Sequence, residues 1–488
     1  MERSSGILLA VSSLPGNQGI GDLGKPAYTF IDLIAEQGIK IWQILPLHPL
    51  GYGNSPYQPY STYAGDSIYI NIDRLSELGL IKMSSIRNFN KFQETVDYEG
   101  VRAFKEPYFK KAFRTFKKEF NRFKAEYEEF CTKCEWLESY AMFAALKHKN
   151  DNKCWLEWDE EDKEWIKEKP LRKDLTEALA YEKFLQFMFY LQWQSVKAYA
   201  NEKAIKIMGD MPIYVGLDSA DVWENRKDFL LEKDGSPSFV AGVPPDYFSW
   251  TGQRWGNPIY HWSRMKKNRY SFWIKRLAWA KEQFDVIRID HFRAFDTYWK
   301  IPASCDTAIE GEWMEGPAYD LFDRIYRVMP DIEIVVEDLG DLRQEVHTLR
   351  DHYDLYGMRV LQFEMEPKRL RKGFREHVIV YTGTHDNMTS EQWYEQQHPN
   401  LKIALRRFFH NRNYKERNFH DLLNHFALNS EADICVIPMQ DVLGIKEQGR
   451  MNTPSTIGSP NWEWKLKNFK IVQNEIKKIG VWVKESNR

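Results

Sequence analysis

Three stretches of the chain carry runs of β-branched residues that pass without a break into polar ones: VIRID at 286–290, IVVED at 334–338 and VIVYTGTHDN at 378–387. Short runs apolar at consecutive positions, not every second one, describe strands covered on both faces, the condition of a parallel sheet. Parallel neighbours cannot be joined by hairpins and need crossovers of a dozen or more residues. Runs of this kind recur at 6–12, 39–45, 205–209, the RID and VED segments, 357–362, 378–381 and 432–438. Eight such strands without duplicated blocks predict one (β/α)8 barrel spanning 1–488, elaborated by helical and loop insertions. The first crossover reads as a helix opened by Pro26 and closed by Gly38, with Phe30, Ile31 and Ile34 on one side.

In such a barrel the reacting groups come from the C-terminal ends of several strands, so the polar residues just after each apolar run are the ones to weigh. Arg288 and Asp290 lie two apart and should share a strand face, where the guanidinium would keep the carboxylate ionised. That arrangement serves a covalent nucleophile or a structural ion pair. The second run ends in Glu337 and Asp338, the third in His385 and Asp386, and here too caps or structural pairs are the plain alternative. Spacing does not choose between Glu337 and Asp338.

With 68 basic and 70 acidic side chains the formal charge is −2, which supplies no global field for nucleic acid or anionic lipid. The apolar run at 7–11 is too short for a signal-peptide core or a membrane span, and no spanning-length apolar segment follows. Five cysteines suggest a reducing, cytoplasmic setting and no disulfide framework. Cys131 and Cys134 form a CxxC with His148 and Cys154 downstream, but the pair sits in a helical pattern with no second close ligand pair, so no metal is expected.

Three insertions are expected. Residues 50–80 hold a Gly-, Pro- and Tyr-rich loop in which Tyr52, Tyr57, Tyr60 and Tyr63 offer flat, half-polar faces. Residues 81–180 are mainly helical, with Phe109, Phe113, Phe116, Phe120, Phe123, Tyr127 and Phe130 forming one continuous stripe that docks within the chain. Residues 211–280, rich in Trp, Pro and Gly, read as an ordered lid or groove wall between strands three and four.

The motifs RIDHF, VEDLG and TGTHDN resemble those of amylomaltases, the 4-α-glucanotransferase family related to the α-amylases. GILLAVSSLPGNQGIGDLG, WQILPLHPLGYGNSPYQPYSTYAGD, GDMPIYVGLDSADVW, GVPPDYFSWTGQRWGNPIYHW and MNTPSTIGSPNWEW extend the resemblance over the whole chain. It implies Asp290 as nucleophile, Glu337 as acid/base and Asp386 as third catalytic carboxylate. Tyr57, Asp210, Trp255, Arg288, His385 and Asn452 would contact glucan, Asn461 being the alternative to Asn452. It implies retaining transfer between α-1,4-glucans or maltooligosaccharides and glucose, with no cofactor. The sequence has no dedicated oxygen-ligand loop for calcium, so none is expected, and neither is a nucleic-acid or membrane partner; a monomer or weak homo-oligomer is expected. In that scheme Glu337 keeps its proton and Asp290 has lost its own. An α-glucan hydrolase and a non-catalytic glucan-binding protein are the competing readings. Departures from the family pattern occur at Ala294 and Ser455 (usually Gly), Met388, Lys465 (usually Arg) and Trp250, a lid position that is usually small.

Overall fold

The computed structural model describes residues 1–89, 95–164, 172–245, 249–374 and 377–488. Its strands, in chain order, are β1 (Ser4–Leu8), β2 (Ile41–Gln43), β3 (Lys206–Met211), β4 (Phe239–Val243), β5 (Gln253–Pro258), β6 (Val286–Ile289), β7 (Thr297–Pro302), β8 (Glu312–Glu315), β9 (Ile334–Val336), β10 (Gly357–Val360), β11 (Val378–Tyr381) and β12 (Ile434–Pro438). Eight of them form one parallel sheet in the order β10-β11-β12-β1-β2-β3-β6-β9. A parallel bridge between Val335 and Tyr356, with Val336 N donating to Tyr356 O at 2.9 Å, joins the two ends and closes the barrel. These eight coincide with the eight apolar runs. Their β-branched residues are nearly all inaccessible, as strands packed between an inner layer and outer helices require.

The crossovers include the helix Lys25–Ala35, with Pro26 in its first turn and Phe30, Ile31 and Ile34 buried against the sheet; Gly38, at φ 74°, follows it. Thr176–Glu202 precedes β3, Ser271–Gln283 precedes β6, and Lys470–Glu485 follows β12. Gly209 in β3 is a close-approach position: a Cβ there would stand 2.3 Å from the Phe284 ring.

The aromatic stripe docks within its own chain, as its pattern suggests, but not as one rod. The helix Tyr98–Lys118 ends at Glu119 and a second, Phe120–Lys133, starts at once in a new direction. Phe116 therefore lies within 5.7 Å, ring centre to ring centre, of Phe120, Phe123 and Tyr127 and also meets Phe184 of Thr176–Glu202. An uninterrupted helix would hold residues 116 and 127 about 16 Å apart. The lid region also differs from its sequence reading. Strands β4 and β5 pair antiparallel with each other, and β4 pairs with β7, which pairs with β8, giving a second sheet in the order β5-β4-β7-β8. Half of that wall comes from the segment after β6. Residues 246–248 of the lid motif and the side chain of Tyr52 lie outside the described residues; Trp250, in the β4–β5 connection, is 94% exposed.

Candidate active site

The carboxyl rim of the barrel collects its polar groups because the ladder runs one residue past the strand ends. Asp290 N donates to Met211 O (3.1 Å), Glu337 N to Ile289 O (2.9 Å), and Phe292 N to Glu337 O (3.0 Å). The segments that bear Asp290 and Glu337 are thus tied together through the backbone. Asp210 is the register partner of Arg288.

Arg288 is the hub, its side chain only 3% exposed. One guanidinium nitrogen, Nη1, donates to Asp210 Oδ1 at 2.6 Å and to Asp290 Oδ1 at 3.2 Å, while Nη2 donates to Glu337 Oε2 at 2.5 Å. The second oxygen of Asp210 accepts from the Tyr57 hydroxyl at 2.8 Å. That hydroxyl is 3.5 Å from His385 Nδ1, and the two rings stack at 5.0 Å and 18°. His385 Nε2 stands 3.5 Å from Asp386 Oδ2, and Asp386 Oδ1 accepts from Asn452 Nδ2 at 2.7 Å. Asn452 N in turn donates to His385 O at 3.0 Å. Trp255 comes in from β5, its ring edge-on to His291 at 4.9 Å, its carbonyl held by Gln58 Nε2 at 3.2 Å.

In two pairs of candidates that the sequence left open, the side chains point in different directions. Asp338 turns away from the rim, where its carboxylate accepts from Met358 N at 2.7 Å and pairs with Arg350. Glu337 faces Arg288. Likewise Asn461 clamps its own loop, accepting from Thr453 N and donating to Thr456 Oγ1, both at 2.9 Å, whereas Asn452 reaches Asp386.

Asp290 and Glu337 share one guanidinium and titrate as a pair. Burial, then the facing Glu337 charge, push Asp290 well above the usual carboxylate range, and Arg288 offsets this only in part. Burial pushes Glu337 upward too, but Arg288 and a hydrogen bond from Asp290 pull it down to about 2. The contact of Arg288 to Glu337 is shorter than its contact to Asp290. Tyr57 is pushed up by burial and by Asp210 and stays a phenol.

His291 escaped the sequence reading. It adopts left-handed backbone angles (φ 49°, ψ 51°), rare for a residue other than glycine, and burial lowers its ring to about 4, so it is neutral. Its place inside RIDHF was visible; its conformation had no sequence signal. Arg450, donating to Asp386 O at 3.3 Å, was also missed.

The cation at the centre of the rim is a guanidinium. Cys131 lies in the helix Phe120–Lys133 and Cys134 caps it; burial pushes the Cys134 thiol up to about 12, the opposite of a ligand thiolate. Among the described residues, potential metal donors do gather at His420, Asp421 and Glu475. There Lys478 Nζ already bridges Asp421 (2.6 Å) and Glu475 (2.5 Å).

Residues 9–471 match the family model described as 4-alpha-glucanotransferase. The chain belongs to that family. A 4-alpha-glucanotransferase of Thermus thermophilus is 42% identical over 480 residues, covering 96% of this chain and 95% of the relative; one from Solanum tuberosum, chloroplastic/amyloplastic, is 39% identical over 498 residues, covering 98% and 85%. The amylomaltase from Streptococcus agalactiae, solved in complex with acarbose, superposes with a TM-score of 0.94 at 34% identity, each chain covered in full. An amylomaltase from Corynebacterium glutamicum shares the fold, with a TM-score of 0.79 at 18% identity over 99% of this chain and 75% of that one. The chain is accordingly a (β/α)8 enzyme of the 4-alpha-glucanotransferase class.

Proposed function

We propose that the enzyme disproportionates α-1,4-glucans through a glycosyl-Asp290 intermediate. The observation that supports this best is a pair of half-buried carboxyls held by one guanidinium at the mouth of a closed barrel. When a glycosidic oxygen enters between them, Glu337 carries the pair's proton. Asp290, now anionic, attacks the anomeric carbon; the C1–O bond breaks and the Glu337 proton goes to the departing 4-oxygen. In the second half a 4-hydroxyl of another glucan or of glucose gives its proton to Glu337 and attacks C1, releasing Asp290. Asp386, oriented by Asn452, and His385 grip hydroxyls of the ring as it flattens, so their bonds strengthen in the transition state. Asp210 and Tyr57 hold Arg288 in place on the donor flank. Trp255 supplies an apolar wall that favours a bound sugar over water as acceptor.

Five unpaired cysteines fit work in a reducing cytoplasm. The test is purified protein with maltotriose. Glucose and longer oligosaccharides should appear with little gain in reducing ends, and Asp290→Asn should cut turnover by at least about 10³-fold. A steady rise of reducing ends would replace transfer with hydrolysis. Undiminished turnover in Asp290→Asn would remove Asp290 from its role.

A further inference from the structure

The acid that follows the last barrel strand takes no part in the cleft. Asp441 lies in the short helix Met439–Val442 directly after β12, the strand paired with β11, yet it is 1% exposed and has no ion-pair partner among the described residues. A carboxyl so placed costs stability unless both of its oxygens are engaged. Both are. Asp441 Oδ2 accepts from Thr382 Oγ1 and Asp441 Oδ1 from Ser390 N, each at 2.7 Å. Thr382 is the first residue after β11, and Ser390 opens the helix Ser390–Gln396, so the two donors stand at the two ends of the loop 383–389 that carries His385 and Asp386. An amide would present one acceptor oxygen where an ionised carboxylate presents two. Asp441 is itself anchored: Asn424 Nδ2, on the helix Phe419–Leu428, donates to its carbonyl at 2.9 Å.

The turn inside the loop is closed on itself, with Thr384 N and Oγ1 both donating to Asn387 Oδ1 at 2.9 and 2.8 Å, so its placement follows from where its ends are held. From outside, Asn452 and Arg450 reach Asp386 from a segment of irregular backbone. Only from beneath, through Asp441, is the loop tied at both ends to a barrel strand. We propose that Asp441 is a positioning residue, which by clamping both ends of the loop 383–389 sets where Asp386 stands over the reacting sugar. This rests on the reading of Asp386 above as a grip on that sugar. A bond that strengthens only as the ring flattens is the one most sensitive to placement, so its loss lowers kcat and leaves KM nearly unchanged.

The experiment measures kcat and KM for glucose release from maltotriose, with the urea midpoint as the control for folding. Asp441→Asn removes one acceptor. Thr382→Val removes one donor at nearly the same shape, and Thr382→Ser keeps it. Asp441→Asn and Thr382→Val should each lower kcat by about tenfold or more with KM within about twofold, and Thr382→Ser should recover most of the loss. The same two changes are then made in Asp386→Ala, with α-maltosyl fluoride as an activated donor that keeps slow variants measurable. If Asp441 acts through Asp386, they should cost less than about twofold there. Losses of equal size in both backgrounds would overturn the assignment, as would a kcat within twofold of the parent in both single variants. Should Asp441→Asn fail to fold, the Thr382 pair carries the same comparison. Undiminished turnover in Asp386→Ala alone would instead remove the role of Asp386, and this assignment with it.

Discussion

Replacing Arg288 with Met keeps the bulk of the side chain and removes the cation that three carboxylates share. Asp210, Asp290 and Glu337 would then face one another with only their own protons to neutralise them, around a position 3% exposed. Removing one partner of a buried ion pair costs roughly 3–5 kcal/mol. The pH dependence has a definite sign. A carboxylate depressed in the folded state contributes stability above its unfolded pKa and loses it as pH falls towards the folded value. The Glu337 contribution is therefore complete above about pH 5 and fades between about 4.5 and 2. Asp290, raised by burial and by Glu337, works the other way: it favours the fold below its unfolded pKa and loses that advantage as pH rises through its folded value. Without Arg288 the acids protonate at higher pH, so the gap between parent and Arg288→Met, about 3–5 kcal/mol at pH 7, should narrow by pH 4.5. Urea denaturation followed by tryptophan fluorescence at pH 7 and 4.5 measures both values. A variant within 1 kcal/mol of the parent at pH 7, or a gap that widens on acidification, would refute the reasoning about the hub.

Other substitutions probe single links. Tyr57→Phe leaves one oxygen of buried Asp210 unsatisfied and should lower kcat/KM for maltotriose disproportionation by about 10- to 100-fold, measured as glucose release. Asn452→Ala frees Asp386 at the rim; we expect kcat to fall roughly tenfold while the unfolding free energy in urea changes by less than about 0.5 kcal/mol. Lys105, wholly buried, donates to Ile68 O (2.7 Å), Ile70 O (2.9 Å) and Asp22 (3.2 Å). Lys105→Met should cost about 3–5 kcal/mol in urea unfolding, because two carbonyls and a carboxylate lose their donor far from the chemistry. Ser455, at φ 65°, should accept Ser455→Gly with a gain of about 0.5–1 kcal/mol in the same assay.

The barrel was legible because each of its strands is buried on both faces, and two-sided burial writes itself into consecutive positions as Val and Ile. The second sheet was not. Its β5, QRWGNP, and β8, EWME, are partly exposed and contain neither Val nor Ile, so their pairing depends on what they meet after the chain has folded. The Phe stripe was visible, but the break at Glu119 was not, since an apolar period of three and four continues straight through it. For the site, residue types and strand ends pointed to Asp290, Glu337, His385 and Asp386. The partition of Glu337 from Asp338, and of Asn452 from Asn461, needed side-chain directions.

What the amino-acid order determined by itself was which residues could sit at the mouth of a barrel, since a strand's alternation and its covered faces are local properties of a few consecutive positions. What only the tertiary structure decided was how one guanidinium divides its contacts between Asp290 and Glu337. That depends on differences of under 1 Å in the reach of one guanidinium towards two acids 47 residues apart in the chain, and electrostatic order at such distances is set by packing, not by spacing.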